Sequence, residues 1–99
     1  MKLLLTSAGI TNASIRAALL ELLGRPIAEC GALVISTASY PLRGGPELAW
    51  NFIAGEEPST PMAELGWRSV GVLELTALPS IEPRRWLPSI EGADVFLVN

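Results

Sequence analysis

Ser7 is the first residue of the chain whose setting suggests chemistry. It lies in Thr6-Ser7-Ala8-Gly9, where a Ser-Ala-Gly follows an apolar run and precedes a helical pattern. A nucleophilic serine uses a sharp strand-to-helix turn of that kind, and it also needs a base to take its proton. The sequence contains no histidine, so hydrolysis of the Ser–His or Cys–His type cannot be completed by this chain alone. Zinc catalysis that relies on imidazole ligands is incomplete for the same reason. Lys2 is the sole lysine and the only amine base on offer. A strand running from Lys2 toward Ser7 would hold the two about 16 Å apart. The Thr6–Gly9 segment therefore reads as a tight structural turn in which Gly9 permits close packing.

A second group of hydroxyls follows the apolar run at 32–36, in Thr37-Ala38-Ser39-Tyr40. In α/β folds the carboxyl ends of the strands are where ligands bind. Ser7, Thr11, Thr37, Ser39, Tyr40 and Asn99 would form a polar rim there, although loop hydroxyls more often satisfy local backbone groups. The remaining candidates carry less. Glu56-Glu57 reads as solvated loop charge with no other ligand type beside it, and no metal or cofactor site is expected. Glu64 and Glu74 are single carboxylates without a partner. Arg84-Arg85 is the densest basic spot.

Composition narrows the classes. Hydrophobic residues make up 49% and charged residues 17%, so the chain is a folded one in which nearly every element buries a face. A net charge of −3 and scattered arginines argue against nucleic acid, whose phosphates call for clustered Lys and Arg. Cys30 is the only cysteine, which excludes an internal disulfide and points to a reducing, cytoplasmic setting. The run after Met1 breaks at Thr6-Ser7, too short for a signal peptide, and no stretch approaches the roughly 20 apolar residues needed to span a bilayer. No membrane partner is expected.

The elements that must position these residues follow from periodicity. Lys2 to Thr6 reads as a buried strand. Thr11 or Asn12 caps a helix carrying Ile15, Leu19, Leu22 and Leu23, which Gly24 and Pro26 end. Ala32 to Ser36 is apolar without alternation, as a parallel sheet covered on both faces requires. Pro46 opens a helix through Phe52 and Ile53 that Gly55 closes. Thr60, with Pro61 next, is expected to cap a further turn or two. Val70 to Leu75 is a third strand, Ser80 caps a short helix bearing Trp86 and Ile90 toward the sheet, and Pro88 shortens or kinks it. Asp94 to Val98 is a fourth strand. The expectation is α/β: one domain over 1–99, with a mostly parallel four-stranded sheet and helices on both faces.

The segments LLLTSAGITNASI, ISTASY, PMAELGWRSVGVLELTALPSI and ADVFLVN resemble the N-terminal half of peptidase E, the aspartyl dipeptidase family related to cyanophycinase. The resemblance spans nearly the whole chain, and its most specific parts are Leu3 to Thr11 and Pro61 to Ile81. It implies a truncated class I glutamine amidotransferase-like (flavodoxin-like) three-layer sandwich. It also implies a serine peptidase ancestry with Asp-X dipeptides as substrates and no cofactor. In the family, the strand resembling ADVFLVN is followed by a glycine pair of the oxyanion hole, then by a Gly-x-Ser-Ala-Gly nucleophile turn and a histidine. Asn99 matches the residue before the glycine pair, so no catalytic residue of the family falls within this chain. The sequence leaves open a truncated product or a half-protein that works by assembly, and nothing after Asp94 has the look of a terminal tail.

The expected function is thus the first half of a peptidase E-like serine hydrolase, inactive alone. The alternative is a non-catalytic α/β domain that self-associates or binds a small ligand. In the implied arrangement the strand at 32–36 lies between those at 70–75 and 94–98, and the absent nucleophile strand would pair with the last. Asp94, Val95, Phe96, Leu97 and Val98 would then form an exposed edge, a template for a homo-oligomer or for a complementary C-terminal half. Burying even about 400 Å² of apolar surface there is worth on the order of 10 kcal/mol before association costs.

Overall fold

Gly31-Ala32-Leu33-Val34-Ile35 has no polar position, and in a computed structural model describing residues 1–99 it forms the central strand. Three helices and three strands alternate: α1 (Ala13–Leu23), β1 (Gly31–Ile35), α2 (Gly45–Ala54), β2 (Ser69–Val72), α3 (Pro83–Glu91) and β3 (Val95–Val98). The sheet is parallel throughout in the order β2-β1-β3, with Val34 facing Val72 on one side and Leu97 on the other. The central strand is buried because parallel pairing on both edges leaves only its faces to cover. Ala32 and Val34 join Leu19 of α1, Phe52 of α2, Trp67 and Leu97 in one core cluster.

Local chemistry sets the element ends. Of the two cap candidates, Asn12 serves: its Oδ1 accepts the Ile15 amide at 2.9 Å, while Thr11 is exposed. Gly24 ends α1 in the left-handed region, its N–H donating to Leu20 O at 3.0 Å. Pro46 lies in the first turn of α2, and Gly55 closes that helix in the same left-handed way. Pro88 stays inside α3, where it supplies no N–H to the helix.

Three expectations are corrected. The sheet has three strands, because Lys2–Thr6 pairs with none. No backbone-to-backbone hydrogen bond reaches residues 1–9, and Leu3 and Leu5 are 70% and 87% exposed. The segment follows α1 instead: Lys2 Nζ donates to Leu22 O at 3.2 Å and Leu4 packs against the core. An apolar run reports a wish for burial, whereas a strand also needs a ladder to join. Thr60 caps no helix; Thr60–Trp67 is a series of turns that delivers Trp67 to the core, with its Nε1 donating to Met62 O at 2.7 Å. Ser80 ends a 3₁₀ turn at Leu78–Ser80, and α3 begins after Glu82 with no side-chain cap.

The helices are unequal partners. α3 adds nothing to the core cluster; its Trp86 is half-buried, with Nε1 donating to Ile81 O at 3.1 Å. Trp50 on α2 is left facing solvent. Only 16 of 99 residues are buried, a thin core for this length. No helix is long and apolar enough to cross a membrane.

Candidate functional site

The polar residues that converge do so at the carboxyl end of the sheet. β1 runs out into Ser36 and a 3₁₀ turn at Thr37–Ser39, in which the Ser39 amide donates to Ser36 O at 3.0 Å. The turn is seated on the start of α2, where Gly45 lies so close that a Cβ would overlap the carbonyls of Ser39 and Tyr40. Asn99, directly after β3, is bonded both to the end of β1 and to this turn. Its amide donates to Ile35 O at 3.1 Å and its Nδ2 donates to Ser39 Oγ at 3.1 Å.

From the other side comes Glu74, just past β2. One carboxylate oxygen accepts the Tyr40 hydroxyl, and the other accepts the Thr76 hydroxyl at 2.7 Å and the Thr76 amide at 3.1 Å. The bond to Tyr40, followed by those from Thr76, holds Glu74 below the ordinary carboxylate range. The same bond to Glu74, reinforced by some desolvation, raises the Tyr40 phenol. At the end of β1 two buried oxygens have no partner, Ser36 Oγ and Thr37 Oγ1. Buried hydroxyls are usually satisfied, so these two carry a desolvation cost that no bond within the chain offsets.

Of the six residues assigned to the rim, Thr37, Ser39 and Tyr40 share one turn and Asn99 is bonded to it. Ser7 is exposed, and no hydrogen bond links it or Thr11 to the others. The Thr6–Gly9 segment is the tight turn its sequence indicates: Thr6 Oγ1 accepts the Gly9 amide at 2.9 Å. Gly9 has φ +74°, and a Cβ there would meet Pro61 O at 2.8 Å. The next amide, that of Ile10, donates to Pro61 O at 2.9 Å.

Sequence reasoning passed over Ser36 and Glu74. Ser36 reads as the last residue of a strand, and only the absence of a partner for its hydroxyl singles it out. Glu74 has a sequence signal in Glu-x-Thr, the spacing of a side chain that bonds back to its own turn. No three His, Cys, Asp or Glu side chains come together in a way that would hold a metal ion. Glu57 instead receives the Ser59 amide at 3.3 Å, and Cys30 is a buried free thiol whose Sγ donates to Pro26 O at 3.4 Å.

Compared with family models, with curated proteins and with solved structures, the chain finds no match in any of the three.

Proposed function

We propose that the chain is the N-terminal half of a peptidase E-like serine hydrolase, lacking the family's nucleophilic serine and histidine and therefore inactive by itself. The observation that carries this reading is the strand order. The strand at 31–35 lies between those at 69–72 and 95–98, as the resemblance implies, and Asn99 is fastened to Ser39 at their carboxyl ends. A glycine pair continuing from Asn99 would emerge beside Ser39 and Tyr40, where backbone N–H groups would serve a developing oxyanion. The finer fold in this reading is the amidotransferase-like three-layer sandwich, with Lys2–Thr6 as a further strand once the sheet is completed, in a cytoplasmic enzyme that needs no cofactor.

The test is hydrolysis of a chromogenic aspartyl amide by the purified chain, with Ser7→Ala alongside, and again after mixing with a C-terminal half that carries the nucleophile turn and histidine of a peptidase E. No turnover alone and turnover above blank on mixing is the expected result. Turnover by the chain alone that disappears in Ser7→Ala would overturn the reading, as would a mixture that stays inactive although the halves associate.

The orphaned hydroxyls of Ser36 and Thr37 favour a second reading, a non-catalytic domain that binds a small polar ligand at this rim. A rise in melting temperature with aspartyl compounds, without hydrolysis on mixing, would distinguish it.

A further inference from the structure

β3 is an edge strand without the protections edge strands carry. Val95-Phe96-Leu97-Val98 holds no charge and no proline, and the flanking Asp94 is already paired with Arg25. The other edge is different: β2 contains Gly71 and stands between Arg68 and Glu74. On β3, Phe96 and Val98 are 44% and 58% exposed although the strand belongs to a parallel sheet, which ordinarily has both faces covered. An apolar groove of about 700 Å³ is lined by β3, by α1 and by the chain's own Met1–Thr6 segment, which forms no backbone ladder with β3.

The backbone direction is fixed by Asn99, whose amide donates to Ile35 O. Period-two alternation then directs the N–H and C=O groups of Val95 and Leu97 at β1 and those of Phe96 and Val98 outward. Two copies of such an edge are complementary to each other. When they run antiparallel about a two-fold axis at Leu97, Phe96 of each copy stands opposite Val98 of the other. Those are the residues with free backbone groups, so each pair exchanges both hydrogen bonds. The same pairing lays the exposed Phe96 side chain beside Val98 on one face and Leu97 beside its mate on the other. It also sends the two Asp94 carboxylates to opposite ends of the joint.

The surface area agrees with a missing partner. A folded monomer of 10.5 kDa exposes about 5,400 Å² by size scaling. This chain exposes 6389 Å². The excess of roughly 1,000 Å², to which Phe96 and Val98 contribute together with the more exposed Met1, Leu3 and Leu5, compares with about 800 Å² covered on each partner of a stable interface. We infer that the chain forms a two-fold dimer through antiparallel pairing of β3 with β3 of a second copy, making one continuous six-stranded sheet. The contact requires no catalytic role of the chain.

Sedimentation velocity from low to high micromolar concentration tests it on four proteins. The unmodified chain is expected to dimerise. Val98→Pro removes only an outward N–H and leaves the β1 ladder intact, so it is expected to be monomeric with an unchanged far-UV spectrum. Phe96→Lys, which places a charge on an exposed position, should weaken association by about tenfold or more. Val72→Pro, the equivalent change at the β2 edge, should still dimerise. A chain that is monomeric throughout overturns the inference. So does a dimer that survives both β3 substitutions, a dimer lost only in Val72→Pro, or an open-ended assembly in place of a closed pair.

Discussion

Gly31 and Asp94 are bonded to each other twice: the Gly31 amide donates to Asp94 Oδ2 at 2.7 Å, and the Asp94 amide donates to Gly31 O at 2.9 Å. Arg25 pairs with the same carboxylate, and Arg68 approaches it at 3.9 Å while its Nη1 donates to Glu29 O at 3.2 Å. Residues 63 positions apart are thereby clamped at the amino ends of β1 and β3. The Gly31 amide, with the charge of Arg25 behind it, holds the Asp94 carboxyl below its ordinary range. The unfolded chain therefore takes up a proton at this site before the folded one does. The clamp's contribution is complete above the ordinary carboxylate pKa and fades as pH falls through the lower folded value. Urea midpoints of the unmodified chain and of Asp94→Asn should differ at neutral pH, with the variant less stable, and converge in acid. A gap that stays constant with pH would show that the charge on Asp94 plays no part.

Tyr40 is the only tyrosine, so near-ultraviolet absorbance follows its ionisation alone. Its bond to Glu74 raises the phenol above the ordinary tyrosine value. That contribution is present below the unfolded pKa and is lost as pH rises through the folded one. Glu74→Gln should bring the transition back down toward the ordinary value. Coincident titrations of the two proteins would mean that the Tyr40–Glu74 bond is not held in solution.

What could be read in the sequence was mostly what periodicity and local chemistry control. Helix α1 has its cap, apolar stripe and glycine stop within a dozen residues, and β1 announces its central place by having no polar position. The Thr37–Tyr40 cluster was legible because it had to follow that strand. Lys2–Thr6 was misjudged because an apolar run has the same appearance whether or not a neighbouring strand is present to pair with it. Ser7 and Thr11 share the expected rim only through that strand, and neither is hydrogen-bonded to Thr37, Ser39, Tyr40 or Asn99. The Gly31–Asp94 clamp and the orphaned Ser36 hydroxyl depend on tertiary approach, for which local patterns carry no signal.

Gly44 and Gly45 are adjacent, yet they answer to different constraints. Gly44 has φ +70° with open space around it, whereas a Cβ on Gly45 would overlap the carbonyl oxygens of Ser39 and Tyr40 and stand 2.7 Å from the Tyr40 carbonyl carbon. Gly44→Ala should cost about 1 kcal/mol, the strain of a left-handed alanine. Gly45→Ala forces the rim turn off α2 and should cost about 2–3 kcal/mol. Denaturant unfolding of both variants checks the order, and equal losses would show that the turn yields freely.

Ser36 gives the rim its sharpest test, because stability and binding pull in opposite directions there. The residue is 3% exposed and its Oγ has no partner, so the folded chain carries the desolvation cost of a hydroxyl with nothing gained in return. Ser36→Ala should raise stability by about 1 kcal/mol. Thr37→Val, which removes the neighbouring orphan while keeping its shape, should act in the same direction. If the hydroxyls are kept for a ligand, the same variants lose whatever thermal shift aspartyl compounds produce in the unmodified chain. A stability gain that leaves such a shift intact would place the ligand elsewhere on the rim, beside Ser39, Tyr40 and Asn99. A stability loss would mean that the hydroxyls are satisfied by water and belong to the fold itself.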